Sequence, residues 1–245
     1  MNVARSTRTR AIVTRANAAV SIILLLSVTT TAQEPASAAV IGSVDAAVAS
    51  RYENILGFTD IEHLVVYRRG DESHPAAEIT VRDTYKKGVG KTYTILSQSG
   101  STILLRLGLR PLLDNEQIIN QPGNVEKSWF TSANYVMTLK AGGMHKLGAR
   151  DCFALDVKPK AQAPNLIIGT IWVDAHDETL VSIDGVASKN PSAWSGATHM
   201  TRQYSNINGY SMAMHAHAES DSVLFGRTVV TIDYTDYKLA TKTGR

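Results

Sequence analysis

His215 and His217 stand two residues apart, so on a strand both imidazoles would project to the same side. Such a pair could begin a metal site, with Asp174, His176, Asp177 and Glu219 as further donors. A working site needs a fuller ligand set, and no HExxH motif or other spaced set accompanies the pair. The expectation is an exposed polar face, with no metal and no cofactor. Lys86-Lys87-Gly88-Val89-Gly90-Lys91-Thr92 ends like a phosphate-binding loop. Tyr85 occupies the position of that loop's first Gly, however, and Thr92 opens a strand rather than a helix, so the segment reads as a hairpin turn. Cys152 is the only cysteine, which excludes an internal disulfide, and no activating partner for a thiolate lies near it in sequence. It reads as a small buried residue on a strand. No Gly-x-Ser-x-Gly elbow occurs, and no pair of carboxylates is singled out as an acid/base couple. The chemistry therefore points to a binding protein rather than an enzyme.

The elements that would carry these residues are mostly strands. Period-two runs rich in β-branched and aromatic residues occur at His63–Tyr67, Glu78–Arg82 and Thr92–Leu96. They resume at Tyr135–Lys140, Cys152–Lys158, Ile167–Ala175, Thr179–Ala187, Thr198–Ile207, Tyr210–Ala218 and Arg227–Leu239. Gly70-Asp71, Gly88-Val89-Gly90, Gly142-Gly143, Asp177-Glu178 and Asn208-Gly209 punctuate them as turns, the last being the strongest hairpin signal. Val44, Val48, Tyr52, Ile55 and Leu56 recur at helical spacing, predicting a helix from about Ile41 to Leu56 that stops at Gly57. Pro111–Ile119 fits a second helix with Pro in its first turn, and Val125–Ser132 a short third. This pattern predicts one antiparallel β domain with helices packed on one face. The indoles of Trp129, Trp172 and Trp194 are expected in the core or a cavity wall.

Ahead of this domain, Arg5, Arg8, Arg10 and Arg15 precede an apolar run from Ala16 to Val28, with small residues at Thr30-Thr31-Ala32. This is the order of an export signal, spanning residues 1–32, with Ala36-Ser37-Ala38 as a second cleavage site. The run is short of the roughly 20 apolar residues a membrane span needs. Removing the signal lowers Lys+Arg from 25 to 21 against 22 Asp+Glu, so the basic balance belongs to the signal. No nucleic-acid footprint is expected in the rest. The division is then signal 1–32, linker 33–39, domain 40–240 and tail 241–245.

Several stretches in the second half resemble a known family. They are Leu155-Asp156-Val157-Lys158-Pro159-Lys160, Gly169-Thr170-Ile171-Trp172-Val173-Asp174-Ala175, Leu180-Val181-Ser182-Ile183-Asp184-Gly185, Lys189-Asn190-Pro191-Ser192-Ala193-Trp194, Leu224-Phe225-Gly226-Arg227 and Ile232-Asp233-Tyr234-Thr235-Asp236-Tyr237. In order and spacing they are similar to LolA-like outer-membrane lipoprotein-sorting proteins of Gram-negative bacteria, over roughly Tyr52 to Leu239. The resemblance implies an incomplete β-barrel, a single curved antiparallel sheet whose concave face is covered by helices. It also implies an apolar cavity that receives acyl chains of lipoproteins. It assigns no position to the carriers' functional arginine, and Tyr210–His215 departs from the aromatic and Pro-rich strand usual in similar sequences.

Strand alternation then nominates a ligand-binding wall: Ile79, Val81, Met137, Leu139, Phe153, Leu155, Val157, Val181, Ile183, Val230 and Ile232. The same residues would equally suit a dry, packed core. The expected protein is a periplasmic, monomeric lipid or lipoprotein carrier, with acyl chains and envelope proteins as partners. The alternatives are a periplasmic sensor or scaffold using the same fold to bind a protein, and an envelope hydrolase.

Overall fold

A computed structural model describes residues 37–190, 195–222 and 226–242. The export signal, Trp194 and parts of two family-like stretches lie outside these residues. Ten strands form one antiparallel sheet: β1 Ile55–Arg68, β2 Ala77–Lys86, β3 Gly90–Gly100, β4 Tyr135–Leu147, β5 Arg150–Pro159, β6 Ile167–Asp174, β7 Leu180–Ala187, β8 Ser195–Ile207, β9 Tyr210–Ser222 and β10 Gly226–Thr241. Their spatial order is β3-β2-β1-β10-β9-β8-β7-β6-β5-β4. The chain thus begins mid-sheet, runs outward to the β3 edge, crosses to the opposite edge at β4, and returns strand by strand to lie beside β1. The sheet does not close into a barrel, because β3 and β4 do not pair.

The crossing requires a long connection over one face, and residues 101–134 supply it with helices. Ser101 caps α2 (Thr102–Leu104), its side chain accepting from the Leu104 N–H at 3.4 Å. A π-helical turn at Leu105–Leu109 leads into α3 (Arg110–Ile119), with Pro111 in its first turn as expected. A 3₁₀ turn at Val125–Ser128 replaces the longer third helix expected there. Ahead of the sheet, α1 spans Ser37–Asn54. It begins inside the expected linker and ends before Ile55 and Leu56, which open β1. Gly57 is a strand residue: a Cβ there would meet the Tyr85 carbonyl at 2.8 Å. Gly142-Gly143 is a bulge within β4, both residues at positive φ, rather than a turn. Asn208 and Gly209, at φ 53° and 89°, make the expected tight hairpin turn.

Directly paired residues of antiparallel strands project to the same side. One continuous row runs Ile79, Leu64, Ile232, Ala216, Arg202, Ile183, Ile171, Leu155, Leu139 from β2 to β4. Its two ends sit under different helices. Ile79 and Leu64 cluster with Leu104, Leu105, Leu109 and Leu113 of the helical crossover. Leu155, Ile171 and Ile183 cluster with Val40 and Val44 of α1. Both helical segments therefore cover one face. In the adjacent row, Gly169 and Gly185 pair directly between β6 and β7. A Cβ on Gly169 would lie 2.1 Å from the Asp184 carbonyl oxygen, and one on Gly185 2.5 Å from Ile167. Bare backbone at both positions lets these strands approach closely on the covered side.

Candidate functional site

Farther along the same strands that carry the cluster of Leu64 and Ile79, the covered face is polar. Asp60, Glu62, Asp83 and Lys91 are at most 5% exposed. Glu62 precedes the apolar Leu64 and Val66 at the same two-residue spacing, and Asp83 continues Ile79 and Val81, so strand geometry alone delivers them to the interior. Lys91 Nζ lies 2.6 Å from Glu62 Oε1, 2.7 Å from Asp83 Oδ2 and 3.0 Å from Glu116 Oε1 of α3. Its ammonium group thus faces three carboxylates. Burial alone would lower the Lys91 pKa, but Glu116, Glu62 and Asp83 outweigh it and raise it.

The carboxylates divide their roles. Burial, followed by the Glu116 charge, pushes Glu62 up to about 10. Burial pushes Asp60 up to about 7, against the pull of Lys91. Glu116 is held below its ordinary value: burial would raise it, but Lys91 and Arg202 prevail, and it carries the charge that faces the ammonium. Arg202, in the middle of the apolar row, has its guanidinium pKa raised, chiefly by Tyr234 against the lowering effect of burial, with Tyr204 and Glu116 also contributing. Arg51, in the last turn of α1, reaches β9, donating from Nε to the Ser211 carbonyl at 3.2 Å.

Several buried acceptors lack donors. Neither oxygen of Asp60 nor Oε2 of Glu62 meets a hydrogen-bond partner, nor does the Tyr234 hydroxyl. The Tyr237 hydroxyl, near Asp60, donates to the Ala213 carbonyl at 2.9 Å. Asp60 also lines an open cavity of about 440 Å³ with Thr59, Ile61, Arg82, Asp236, Tyr237 and Lys238. A smaller apolar groove of about 170 Å³ follows the seam between the crossover helices and the sheet, lined by Val66, Leu104, Leu107, Gly108, Leu109, Leu112, Ser220, Thr228 and Val230.

The eleven wall residues nominated from sequence fall into two groups. Ile79, Val81, Leu155, Val157, Val181 and Ile183 are buried, five of them within the two clusters. Met137, Leu139, Phe153, Val230 and Ile232 pack against those clusters but keep accessible surface. His215 and His217 each take a carboxylate instead of sharing a centre: His215 Nδ1 is 2.7 Å from Asp233, and His217 Nε2 is 3.8 Å from Glu72. Cys152 is buried and its pKa is raised, chiefly by desolvation. Trp129 and Trp172 are half-buried, Trp129 against Tyr52 with ring centroids 4.6 Å apart. Sequence reasoning passed over Asp60, Glu62, Asp83, Lys91, Glu116 and Tyr234. The signal was present in the alternation, which continues beyond the apolar residues into acidic ones.

No family model matches the chain, and no curated protein sequence matches it. Solved structures similar to it include a LolA superfamily protein from Nitrosomonas europaea, 11% identical with a TM-score of 0.48, the match covering 84% of this chain and 94% of that one. A domain from Vibrio parahaemolyticus named for outer membrane lipoprotein sorting is 12% identical, TM-score 0.47, over 86% of this chain and 95% of its own. A DUF1329 family protein from Desulfovibrio piger is 13% identical, TM-score 0.43, over 84% and 94%.

Proposed function

We propose that this protein is a periplasmic, non-enzymatic carrier of lipids or lipoproteins in outer-membrane lipoprotein sorting, holding acyl chains between its sheet and its helical cover. One observation carries the reading: away from the buried charges, the covered face is apolar yet incompletely filled. Met137, Leu139, Phe153, Val230 and Ile232 lie on that face and keep accessible surface, and the seam beside Val230 is an apolar groove. Each methylene moved from water into such a site contributes about 0.8 kcal/mol, so an acyl chain needs little polar chemistry to bind. The motifs similar to LolA-like proteins fit the same use. Among the described residues no helix is long and apolar enough to cross a membrane.

A second reading has its own support. Ile103, Leu107 and Ile118 of the crossover are more than half exposed, an apolar outer stripe that would suit a protein partner of a sensor or scaffold. Native mass spectrometry of protein recovered from its own envelope separates the two. A bound mass matching lipid supports the carrier. Protein that emerges empty and fails to bind a fluorescent fatty acid overturns it.

A further inference from the structure

We propose that Asp60, Glu62 and Asp83 form a binding site for a hard divalent cation of the calcium class. One carboxylate oxygen from each lies within 4.8 Å of the others, and all three residues are buried. Lys91 does not use up this donor set. Its ammonium takes Oε1 of Glu62 and Oδ2 of Asp83, and its remaining partner is Glu116 on the helical cover. Both oxygens of Asp60, a residue 2% exposed, are left without a hydrogen-bond partner.

A second observation points the same way from another strand. Tyr234 pairs directly with Glu62 across β1 and β10, is 3% exposed, and its buried hydroxyl also has no partner. Leaving so many polar atoms unmatched in one buried place is costly, and an ion or its bound water would satisfy them. The donors are all oxygen, which selects calcium, magnesium or manganese over zinc or copper. Three converging carboxylates without a dedicated octahedral cage favour calcium over magnesium.

Terbium tests the site, because it substitutes for calcium and tyrosine near a bound terbium sensitises its emission. The full chain, freed of metal by chelation and titrated at pH 8, should show saturable tyrosine-sensitised emission with one ion per chain. Calcium should displace it at lower concentration than magnesium. Asp60→Asn should weaken binding by about tenfold or more, since affinity follows the number of carboxylate charges. His215→Ala, remote from the cluster, should bind as the unmodified chain does. Circular dichroism checks that Asp60→Asn folds; if it does not, Glu62→Gln takes its place. Absence of saturable emission overturns the proposal, as does emission that survives both substitutions or is lost in His215→Ala. Lipid binding is read separately, so either proposal can fail alone.

Discussion

Lys91 and Cys152 are the two residues whose environments make the firmest predictions. Lys91 is the only ammonium that any of Glu62, Asp83 and Glu116 contacts among the ion pairs described. Replacing it by methionine keeps much of its volume but leaves buried carboxylates unmatched. Removing one partner of a buried ionic group typically costs 3–5 kcal/mol. Lys91→Met should therefore lower the urea midpoint by an amount equivalent to about 3 kcal/mol or more at pH 7; a loss below about 1 kcal/mol would mean the network is dispensable. Cys152 has 0% exposure, and burial raises its thiol pKa, so the thiolate is scarce and shielded. The folded protein should leave Ellman's reagent unreacted over minutes at pH 8 and consume one equivalent in denaturant. Rapid reaction of the native form would place Cys152 outside the sheet interior.

At the scale of the elements, all ten strands were legible from period-two alternation, because successive residues of a strand point to opposite faces and one face of the sheet is turned to the helices. Their lengths were not. β1 runs from Ile55 to Arg68 where only His63–Tyr67 was expected, and β2 continues to Lys86 where Arg82 was the expected end. The reason is shared: reading by hydrophobicity stops where the inward residue becomes acidic, at Glu62 and at Asp83. The polar site was hidden by the same substitution of carboxylate for aliphatic that creates it. The π turn at Leu105–Leu109 was also illegible, since its residues suit an α-helix as well. It precedes a helix apolar on two sides, with Leu113 2% exposed and Leu112 43% exposed. The two adjacent leucines should respond differently. Leu113→Ala should cost about 2–5 kcal/mol through the cavity it leaves. Leu112→Ala should change stability by about 0.5 kcal/mol or less. Equal losses measured by chemical denaturation would mean that α3 is seated differently on the sheet.

For the whole molecule, the issue is how a sheet and its helical cover could take in an acyl chain. The seam groove of about 170 Å³ is smaller than the roughly 300 Å³ at the low end for ligand pockets, so a full chain requires the cover to shift. The cover is tied down by few polar links: Tyr93 to Asp114 at 2.7 Å, Arg110 to Gln98 at 2.9 Å and Lys91 to Glu116 at 3.0 Å. Its apolar anchors are Leu104, Leu105, Leu109 and Leu113, set against a sheet held by continuous strand pairing. A segment with fewer buried contacts than its support opens at lower free energy. Amide exchange in residues 102–119 should therefore be faster than in β1, β2 and β10, and a bound fatty acid should slow it. Val230 is the decisive position, because it lines the groove and also belongs to the covered face. Val230→Trp places an indole in the seam, filling the entrance without deleting an anchor. Binding of a fluorescent fatty acid should weaken at least tenfold, while the melting temperature moves by only a few degrees. If Val230→Trp binds the probe as tightly as the unmodified chain, the seam is not the entrance; if residues 102–119 exchange as slowly as the central strands, the cover does not open.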